Sequence, residues 1–311
     1  SGTSGNITMN GGEINSTNYF TIGHDGDGHL VMNGGTINAY NFELSNNAST
    51  QGNLDFNSGN ILISGNLWID QADSRLRIKG GANLEIGVLD IINNDMTWEH
   101  IITSTTGKYD KMGLAYMTNS STMAEGDLKI GIEGGLMLSS SPSYYLQVGT
   151  SQAAADNYDS KPDMWDISLV DNVDGTKDAI VATLATGNKM ANFDTGGTKE
   201  IGLSNSSTGW ISIDNLDPTV QASGLYVYLG VENADIQELI DGFNDLGYTA
   251  ETASIGGHDI RVFIPASFYS AGTTYLTYDF RNVSTGQATA RLNELQISTA
   301  PLRNGSLFKI K

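Results

Sequence analysis

A repeat of about 23 residues runs through the first part of the chain and limits its fold more than any other feature. An apolar residue followed by a turn recurs at Met9, Met32, Phe56 and Ile78, with spacings of 23, 24 and 22 residues. Three further apolar columns keep this spacing: Phe20, Phe42, Leu67 and Leu89; Ile22, Leu44, Ile69 and Ile91; and Leu30, Leu54 and Leu76. Four copies therefore lie between Gly5 and Ile92.

Each copy alternates apolar and polar residues, which is typical of a β-strand, and places Gly-Gly or Ser-Gly where the chain turns. One coil of this length cannot bury its own apolar row, whereas coils stacked about 4.8 Å apart share one core. The repeat therefore predicts a parallel β-solenoid of four coils. The alternative is an antiparallel meander or sandwich with coincidental spacing, and the agreement between the registers favours the solenoid.

The chain beyond Asn94 loses this period and reads as short strands separated by Gly, Asn, Asp and Ser, which indicates a β-sandwich-like region. One helix is predicted at 235–246, because Asp235 and Glu238 form a capping box and Gly247 follows an apolar stripe. The predicted fold class is therefore all-β. A parallel β-solenoid occupies 1–94, and a β-sandwich-like domain with one helix occupies 95–311.

The segments ITMNGGEIN at 7–15 and LVMNGGTIN at 30–38 resemble the Gly-Gly repeats of secreted bacterial surface proteins. Autotransporter passengers and the exosortase-sorted proteins of planctomycetes and verrucomicrobia are similar, and they use such repeats as stalks, adhesins or enzyme scaffolds. The resemblance covers less than a third of the chain. It implies an extracellular or cell-surface location, and a shared fold alone implies no activity.

Charge and composition exclude several classes of function. Thirty-five acidic residues against sixteen basic ones give a formal charge of −19, which repels nucleic acids and anionic membranes. The chain has no Cys, so disulfides, thiolate metal sites and a Cys nucleophile are excluded. No apolar stretch approaches the roughly 20 residues that span a bilayer, and residues 1–5 look like a mature or trimmed N-terminus. No nucleophile elbow, phosphate loop or HExxH motif occurs, and we predict no enzyme activity.

An outward-facing column of the solenoid combines an indole with carboxylates. From coil to coil it reads Thr21, Glu43, Trp68 and Asp90. Aromatic faces stack on sugar rings and carboxylates accept hydroxyl protons, so Glu43, Trp68 and Asp90 are candidate carbohydrate-binding residues. Glu43 and Asp90 would lie about 10 Å apart, near the upper limit for an inverting glycosidase. The alternative is a solvated polar column in which Trp68 is covered by another surface.

Two acidic turns are candidate calcium sites. Asp25 and Asp27 alternate with glycine, and Asp171 and Asp174 lie in a second turn of similar composition. Oxygen-rich loops of this kind bind calcium, but neither turn has the later ligands and the closing Glu of an EF-hand. The alternative is an ordinary turn in each case. No other cofactor is expected.

The first coil is expected to present an open end. No capping helix or proline-rich lid precedes Ile7, and the unpaired edge of a strand is a template for another strand. The residues of this assembly edge are Ile7, Met9, Ile14, Phe20 and Ile22. The leading hypothesis is an extracellular structural protein, a filament, surface-layer or adhesin subunit, whose copies associate head to tail.

Two other functions stay open. The first is a carbohydrate-binding or polysaccharide-degrading protein, a glycoside hydrolase or lyase, that uses the column of Trp68. The second is a phage-type receptor-binding spike, which would form trimers. The expected partner is therefore another copy of the chain, with polysaccharide as the alternative, and neither nucleic acid nor membrane insertion is expected.

Overall fold

The structure is a computed structural model that describes residues 4–47, 49–69, 73–79, 82–91, 97–102, 128–132, 136–139, 143–148, 165–170, 179–184, 189–192, 198–201, 206–214, 223–253, 255, 257–269, 274–281 and 283–302. The chain divides into two compact units, Ser1–Gly131 with Ser143–Leu184, and Ile132–Pro142 with Ala185–Lys311. Most of the described residues are in β-strands, which confirms the predicted all-β class. In these ranges no helix is both long and apolar enough to cross a membrane.

The first unit contains a parallel β-solenoid of about four turns, as the repeat predicts. Its strands are β1 (Gly5–Ile22), β2 (Gly28–Leu44), β3 (Gly52–Phe56), β4 (Gly59–Ile69), β5 (Arg75–Lys79), β6 (Ala82–Ile91), β7 (Thr97–Ile102) and β8 (Leu128–Ile132). They follow the order β6-β4-β2-β3-β5-β7-β8, with β1 paired to β2. We number the coils from the chain start: coil 1 is 5–27, coil 2 is 28–51, coil 3 is 52–74, and coil 4 begins at 75.

Columns of apolar side chains from successive coils form the solenoid core. One column contains Ile7, Leu30, Leu54, Leu76 and Trp98, and from Leu30 onward no member is more than 2% exposed. A second column contains Met9, Met32, Phe56 and Ile78, which confirms the predicted register. Each coil buries its apolar row against the rows of its neighbours, so the stack makes its own core.

The solenoid extends beyond residue 94, where the sequence predicted its end. Strand β7 pairs in parallel and in register with β5, so that Trp98 continues the column of Leu76 and His100 continues that of Ile78. An indole and an imidazole thus replace aliphatic side chains at these two inward positions. The sequence period is lost at this point for that reason, although the backbone continues to follow it.

The corners of coils 1 to 3 form at the glycine that ends the repeat motif. Gly12, Gly35 and Gly59 have φ angles of 88°, 93° and 105°, which residues with a side chain rarely adopt. A Cβ atom at Gly35 would also lie 2.6 Å from the carbonyl oxygen of Gly12. Both the left-handed backbone and the close approach of the preceding coil therefore require glycine at Gly35.

Antiparallel sheets follow the solenoid. Their strands are β9 (Leu136–Ser139), β10 (Ser143–Val148), β11 (Trp165–Val170), β12 (Ala179–Leu184), β13 (Lys189–Asn192), β14 (Thr198–Ile201), β15 (Thr208–Asp214), β16 (Leu225–Glu232), β17 (Thr249–Thr252), β18 (Ile260–Ile264), β19 (Thr274–Asp279) and β20 (Arg291–Ser298). The first unit contains the sheet β10-β12-β11. The second unit contains β13-β15-β19-β9, in which β13 and β15 are parallel, and β14-β20-β16-β18-β17.

The two sheets of the second unit and one helix share a single hydrophobic core. Helix α1 (Ile236–Asp245) buries Leu239 and Phe243 completely, on the apolar stripe that the sequence shows. The Asp235 carboxylate caps it by accepting hydrogen bonds from the backbone N–H groups of Gln237 and Glu238, both at 3.0 Å. The helix predicted at 235–246 is therefore present, and it covers a sheet face as expected.

Candidate functional site

Strand β1 is the edge of the solenoid that the sequence predicts. It pairs with β2, and no other strand in the described part of the chain pairs with it. Ile7 occupies an inward-facing column, yet it is 57% exposed, whereas Leu30 directly beneath it is 1% exposed. Ile14 and Phe20 are half-buried on the same strand. An apolar row therefore reaches the surface along β1.

Two of the predicted edge residues are covered by their own chain. Met9 and Ile22 are each only 7% exposed. The Met9 methyl group lies over Gly35, and a methyl group of Ile22 lies over Gly28, in positions where a Cβ on either glycine would clash. The side chains of these two residues are therefore not exposed at the edge, because the glycines of coil 2 leave space into which they fold; their part in an assembly edge stays a prediction.

The acidic turn of coil 1 serves the packing of the coils. The Asp27 carboxylate accepts a hydrogen bond from the backbone N–H of Gln51 at 2.9 Å, and its carbonyl oxygen accepts one from Gly5. Asp25 lies 3.1 Å from the exposed imidazole of His24. No cluster of three His, Asp or Glu side chains that suits a metal ion occurs in the described residues. Calcium at Asp25 and Asp27 stays a prediction, and the second turn at 171–178 lies outside the described residues.

The residues of the column with Trp68 align as predicted, but Glu43 is less exposed than the sequence predicts. Thr21, Glu43, Trp68 and Asp90 are Cα partners from coil to coil. Glu43, however, is only 7% exposed, and its carboxylate accepts hydrogen bonds from the hydroxyl of Thr21 at 2.8 Å and from the amide of Asn46. The expectation of an exposed carboxylate at Glu43 is therefore wrong. The side chain of Asp90 lies outside the described residues.

An aromatic stack that the sequence reasoning missed covers Trp68. The ring of Tyr19 lies 5.6 Å from that of Trp68 at an interplanar angle of 24°. Tyr19 belongs to coil 1 and Trp68 to coil 3, so this contact passes over the intervening coil. The register shift between Ser16 and Tyr19 displaces the tyrosine from the regular columns, and column alignment by sequence spacing therefore could not find the pair.

A shallow groove of about 620 Å³ crosses the coils on another flank. Its lining combines amides, hydroxyls, a carboxylate and one aromatic ring: Asn15, Ser16, Thr17, Asn38, Ala39, Tyr40, Leu62, Ile63, Ser64 and Glu85. Tyr40 is 55% exposed. The sequence reasoning also missed this groove, because it depends on irregular pairing between Ala39 and Phe42 that leaves Tyr40 on the surface.

The outward columns of coils 2 to 4 carry ion pairs. Asp55 accepts two hydrogen bonds from the guanidinium of Arg75, at 3.0 and 3.1 Å, and lies 2.7 Å from the imidazole of His29. Arg77 pairs with Glu99 at 3.2 Å. Both arginines neutralise carboxylates on adjacent coils, and this role is structural.

His100 is buried within the solenoid, below Ile78 and 6.0 Å from the ring of Trp98. Burial lowers the pKa of His100 to about 3, since the charged imidazolium would lose its hydration. His100 is therefore neutral at pH 7. We therefore expect protonation of this imidazole at acid pH to destabilise the solenoid.

Comparison with known proteins finds no relative of this chain. No protein-family model, no curated protein and no solved structure matches the chain. Of the resemblance drawn from the repeat, the structure supports a β-solenoid of about four turns. The remaining expectations for function depend on the geometry of the described residues.

Proposed function

We propose that the chain is a structural subunit of the cell exterior, in a filament, a surface layer or an adhesin, and that its copies associate through the edge of β1. The observation that carries this proposal is the exposure of Ile7, 57%, in a column whose other members are at most 2% exposed. Apolar area left in water at the end of a packed column favours association with a surface that covers it.

The composition of β1 also supports strand addition. Natural edge strands are usually short or carry Lys, Pro or several charges that prevent pairing with another chain. β1 spans 18 residues and contains one charged residue, Glu13, with no Lys and no Pro. A long edge with this composition is suited to receive another strand.

Gly5 gives a steric reason for the same proposal. Gly5, Gly28 and Gly52 occupy one column. A Cβ atom at Gly28 would lie 2.3 Å from the backbone nitrogen of Gly23, and one at Gly52 would lie 2.5 Å from the carbonyl oxygen of Ile22. At Gly5 no described atom lies within 4 Å of the Cβ position. A coil stacked on coil 1 would supply the crowding that makes glycine necessary there.

Sedimentation velocity over a range of concentrations, with negative-stain electron microscopy, tests the proposal. We expect the wild-type chain to form oligomers or fibres. Gly5→Leu places a side chain in the open space above coil 1, so it should leave the far-UV circular dichroism unchanged and prevent association. A wild-type chain that stays monomeric at high concentration contradicts the proposal.

Gly28→Leu is the matched control for this experiment. Gly28 lies in the same column as Gly5, but a side chain there clashes with backbone of the same chain. We expect Gly28→Leu to destabilise the fold itself. If Gly5→Leu lowers the stability as much as Gly28→Leu does, a segment of the same chain covers coil 1, and the proposed edge is not available to a partner.

The second candidate function is recognition of a neutral polysaccharide in the groove beside Tyr40. The specific observation is an exposed aromatic ring among amides and hydroxyls that converge on about 620 Å³. The burial of Glu43 removes support for hydrolysis at the column of Trp68. A glycan array with Tyr40→Ala and Trp68→Ala separates the two flanks. Loss of binding in Tyr40→Ala alone assigns the groove, and no binding by the wild type excludes this function.

A further inference from the structure

Asparagine is followed by glycine at the same position of two successive coils. These pairs are Asn10-Gly11 on coil 1 and Asn33-Gly34 on coil 2, and a third pair at 304–305 lies outside the described residues. The side-chain carbonyl carbon of asparagine can close a five-membered ring with the next backbone nitrogen, and glycine leaves that nitrogen unhindered because it has no Cβ. Asn-Gly is therefore the sequence at which a side-chain amide is most readily lost.

The amide of Asn33 is held from both sides. Its NH2 group donates to the oxygen of Asn10 at 2.9 Å, and its oxygen accepts from the NH2 group of Asn57 at 2.8 Å. The backbone is enclosed as well, since a Cβ atom at Gly34 would lie 3.1 Å from the carbonyl oxygen of Asn10. On the other side, the backbone N–H of Asn57 donates to the carbonyl oxygen of Met32 at 2.8 Å. Ring closure at Asn33 therefore requires coil 2 to move against two neighbouring coils.

The same pair on coil 1 is enclosed on one side only. The oxygen of Asn10 accepts from Asn33, but the NH2 group of Asn10 has no hydrogen-bond partner among the described residues. No described atom lies within 4 Å of the Cβ position at Gly11 or Gly12, and the pairing of β1 with β2 shifts on both sides of Asn10. Segments with few contacts open locally at a lower free-energy cost than packed segments. The conformations that allow ring closure are therefore more accessible at Asn10 than at Asn33.

We propose that Asn10 is a site of spontaneous deamidation and that its conversion ends association through β1. The backbone nitrogen of Gly11 attacks the side-chain carbonyl carbon of Asn10 and forms a C–N bond. The amide nitrogen leaves as ammonia and takes the proton of the Gly11 N–H. Water then opens the resulting succinimide at one of its two carbonyl carbons, which gives aspartate or isoaspartate. Water is the only other reactant, and no atom is oxidised or reduced.

The effect on association rests on the proposed function. Both products place a negative charge on β1, where Glu13 is the only charged residue of the unmodified strand. Charged side chains on an edge strand oppose pairing with another chain. Isoaspartate also adds one carbon to the main chain, so the residues on either side of position 10 no longer keep the spacing of a regular strand. An unmodified edge therefore associates, and a converted edge does not.

Peptide mass spectrometry of the chain aged in dilute solution at mildly alkaline pH tests the modification site. Cleavage after Glu13 and Glu43 separates the two Asn-Gly pairs into peptides 1–13 and 14–43. In the folded chain we expect Asn10 to convert about tenfold faster than Asn33, since Asn33 has further hydrogen bonds to break. In the chain unfolded by urea the two rates should be similar. Equal rates in the folded chain, or a faster rate at Asn33, overturn the site.

Gly11→Ala is the matched variant for this measurement. Gly11 has open space at its Cβ position and, unlike Gly12, no left-handed φ angle. Alanine should therefore leave the far-UV circular dichroism unchanged. Its methyl group hinders the attacking nitrogen, so Asn10 should convert several-fold more slowly. An unchanged rate means that the nitrogen of Gly11 is not the nucleophile and overturns the proposed chemistry.

Sedimentation velocity of fresh and aged chains tests the effect on association. We expect the aged wild type and fresh Asn10→Asp to associate more weakly than the fresh wild type, and aged Gly11→Ala to associate like fresh Gly11→Ala. Asn53→Asp adds the same charge on coil 3, away from the edge, and should associate normally.

The outcomes separate this inference from the proposed function. If Asn10 converts and the aged chain associates as strongly as the fresh one, the effect on association is wrong and the proposed function stands. If the fresh wild type is monomeric, the proposed function is refuted, and a faster conversion at Asn10 than at Asn33 still supports the modification site.

Discussion

The hydroxyl of Thr21 donates a hydrogen bond to the carboxylate of Glu43 at 2.8 Å, and this contact links coil 1 to coil 2 beside the core. Glu43 is almost fully buried, and a buried carboxylate is stable only when it is hydrogen-bonded. Glu43, which the sequence analysis placed in an exposed sugar-binding column, therefore has a structural role.

Thr21→Val removes this donor and keeps the shape of the side chain. We expect a loss of about 1–3 kcal/mol in the free energy of unfolding, because the carboxylate loses a partner that water cannot fully replace. Urea titration followed by circular dichroism measures it. Thr17→Val, an exposed threonine of the same strand, is the control and should change the stability by less than about 0.5 kcal/mol. Equal effects of the two substitutions contradict this account.

Acid should destabilise the solenoid through His100. Its pKa in the folded chain is lowered to about 3, against about 6.5 in an unfolded chain. Between these values the unfolded chain binds the extra proton, so stability falls as the pH decreases, by up to about 1.4 kcal/mol per pH unit. Urea unfolding at pH 7 and pH 5 measures this slope.

His100→Met is the variant that isolates this group, because methionine already occupies the same column at Met9 and Met32. We expect the variant to lose most of the pH dependence between pH 7 and pH 5. His24→Gln, at an exposed surface position, is the control substitution. An unchanged slope in His100→Met means that the imidazole reaches solvent in the folded chain.

Gly35→Ala should destabilise the chain more than Gly12→Ala. Both residues have left-handed φ angles, 93° and 88°, so alanine is strained at each, by about 1 kcal/mol. Only Gly35 also has a backbone oxygen 2.6 Å from the position of the new Cβ, whereas nothing described lies within 4 Å at Gly12. Thermal unfolding of the two variants gives the difference, and equal melting temperatures refute the close approach of coils as a cause.

Asp235→Ala removes the N-cap of α1 and should cost about 1 kcal/mol, since two backbone N–H groups lose their acceptor. Asp245→Ala at the other end of the helix removes a negative charge from the negative end of the helix dipole, so we expect no loss there. Urea unfolding of the second unit, followed at the far-UV helix signal, compares them. An equal loss in both variants excludes capping as the reason.

The regular part of the solenoid could be predicted because its columns obey a period that the sequence displays. Met9, Met32 and Phe56 pack on one another for the same reason that they align. Glu43 could not be placed in this way, since the spacing aligns it with Thr21 but does not show that its carboxylate is buried and accepts a hydrogen bond from the Thr21 hydroxyl. Tyr19 contacts Trp68, two coils away, because a register shift displaces the tyrosine from the regular columns. The spacing of the repeat cannot predict a contact of this kind. The end of the repeat was misplaced at residue 94 because Trp98 and His100 fill aliphatic positions.

The glycine corner at Gly12, Gly35 and Gly59 makes each coil an interchangeable module. A whole coil can be duplicated or deleted by recombination while every remaining corner keeps its geometry, because each contact involves only the adjacent module. Variation in length among proteins built on this plan should therefore occur in whole modules, each changing the reach of the stack by about 4.8 Å.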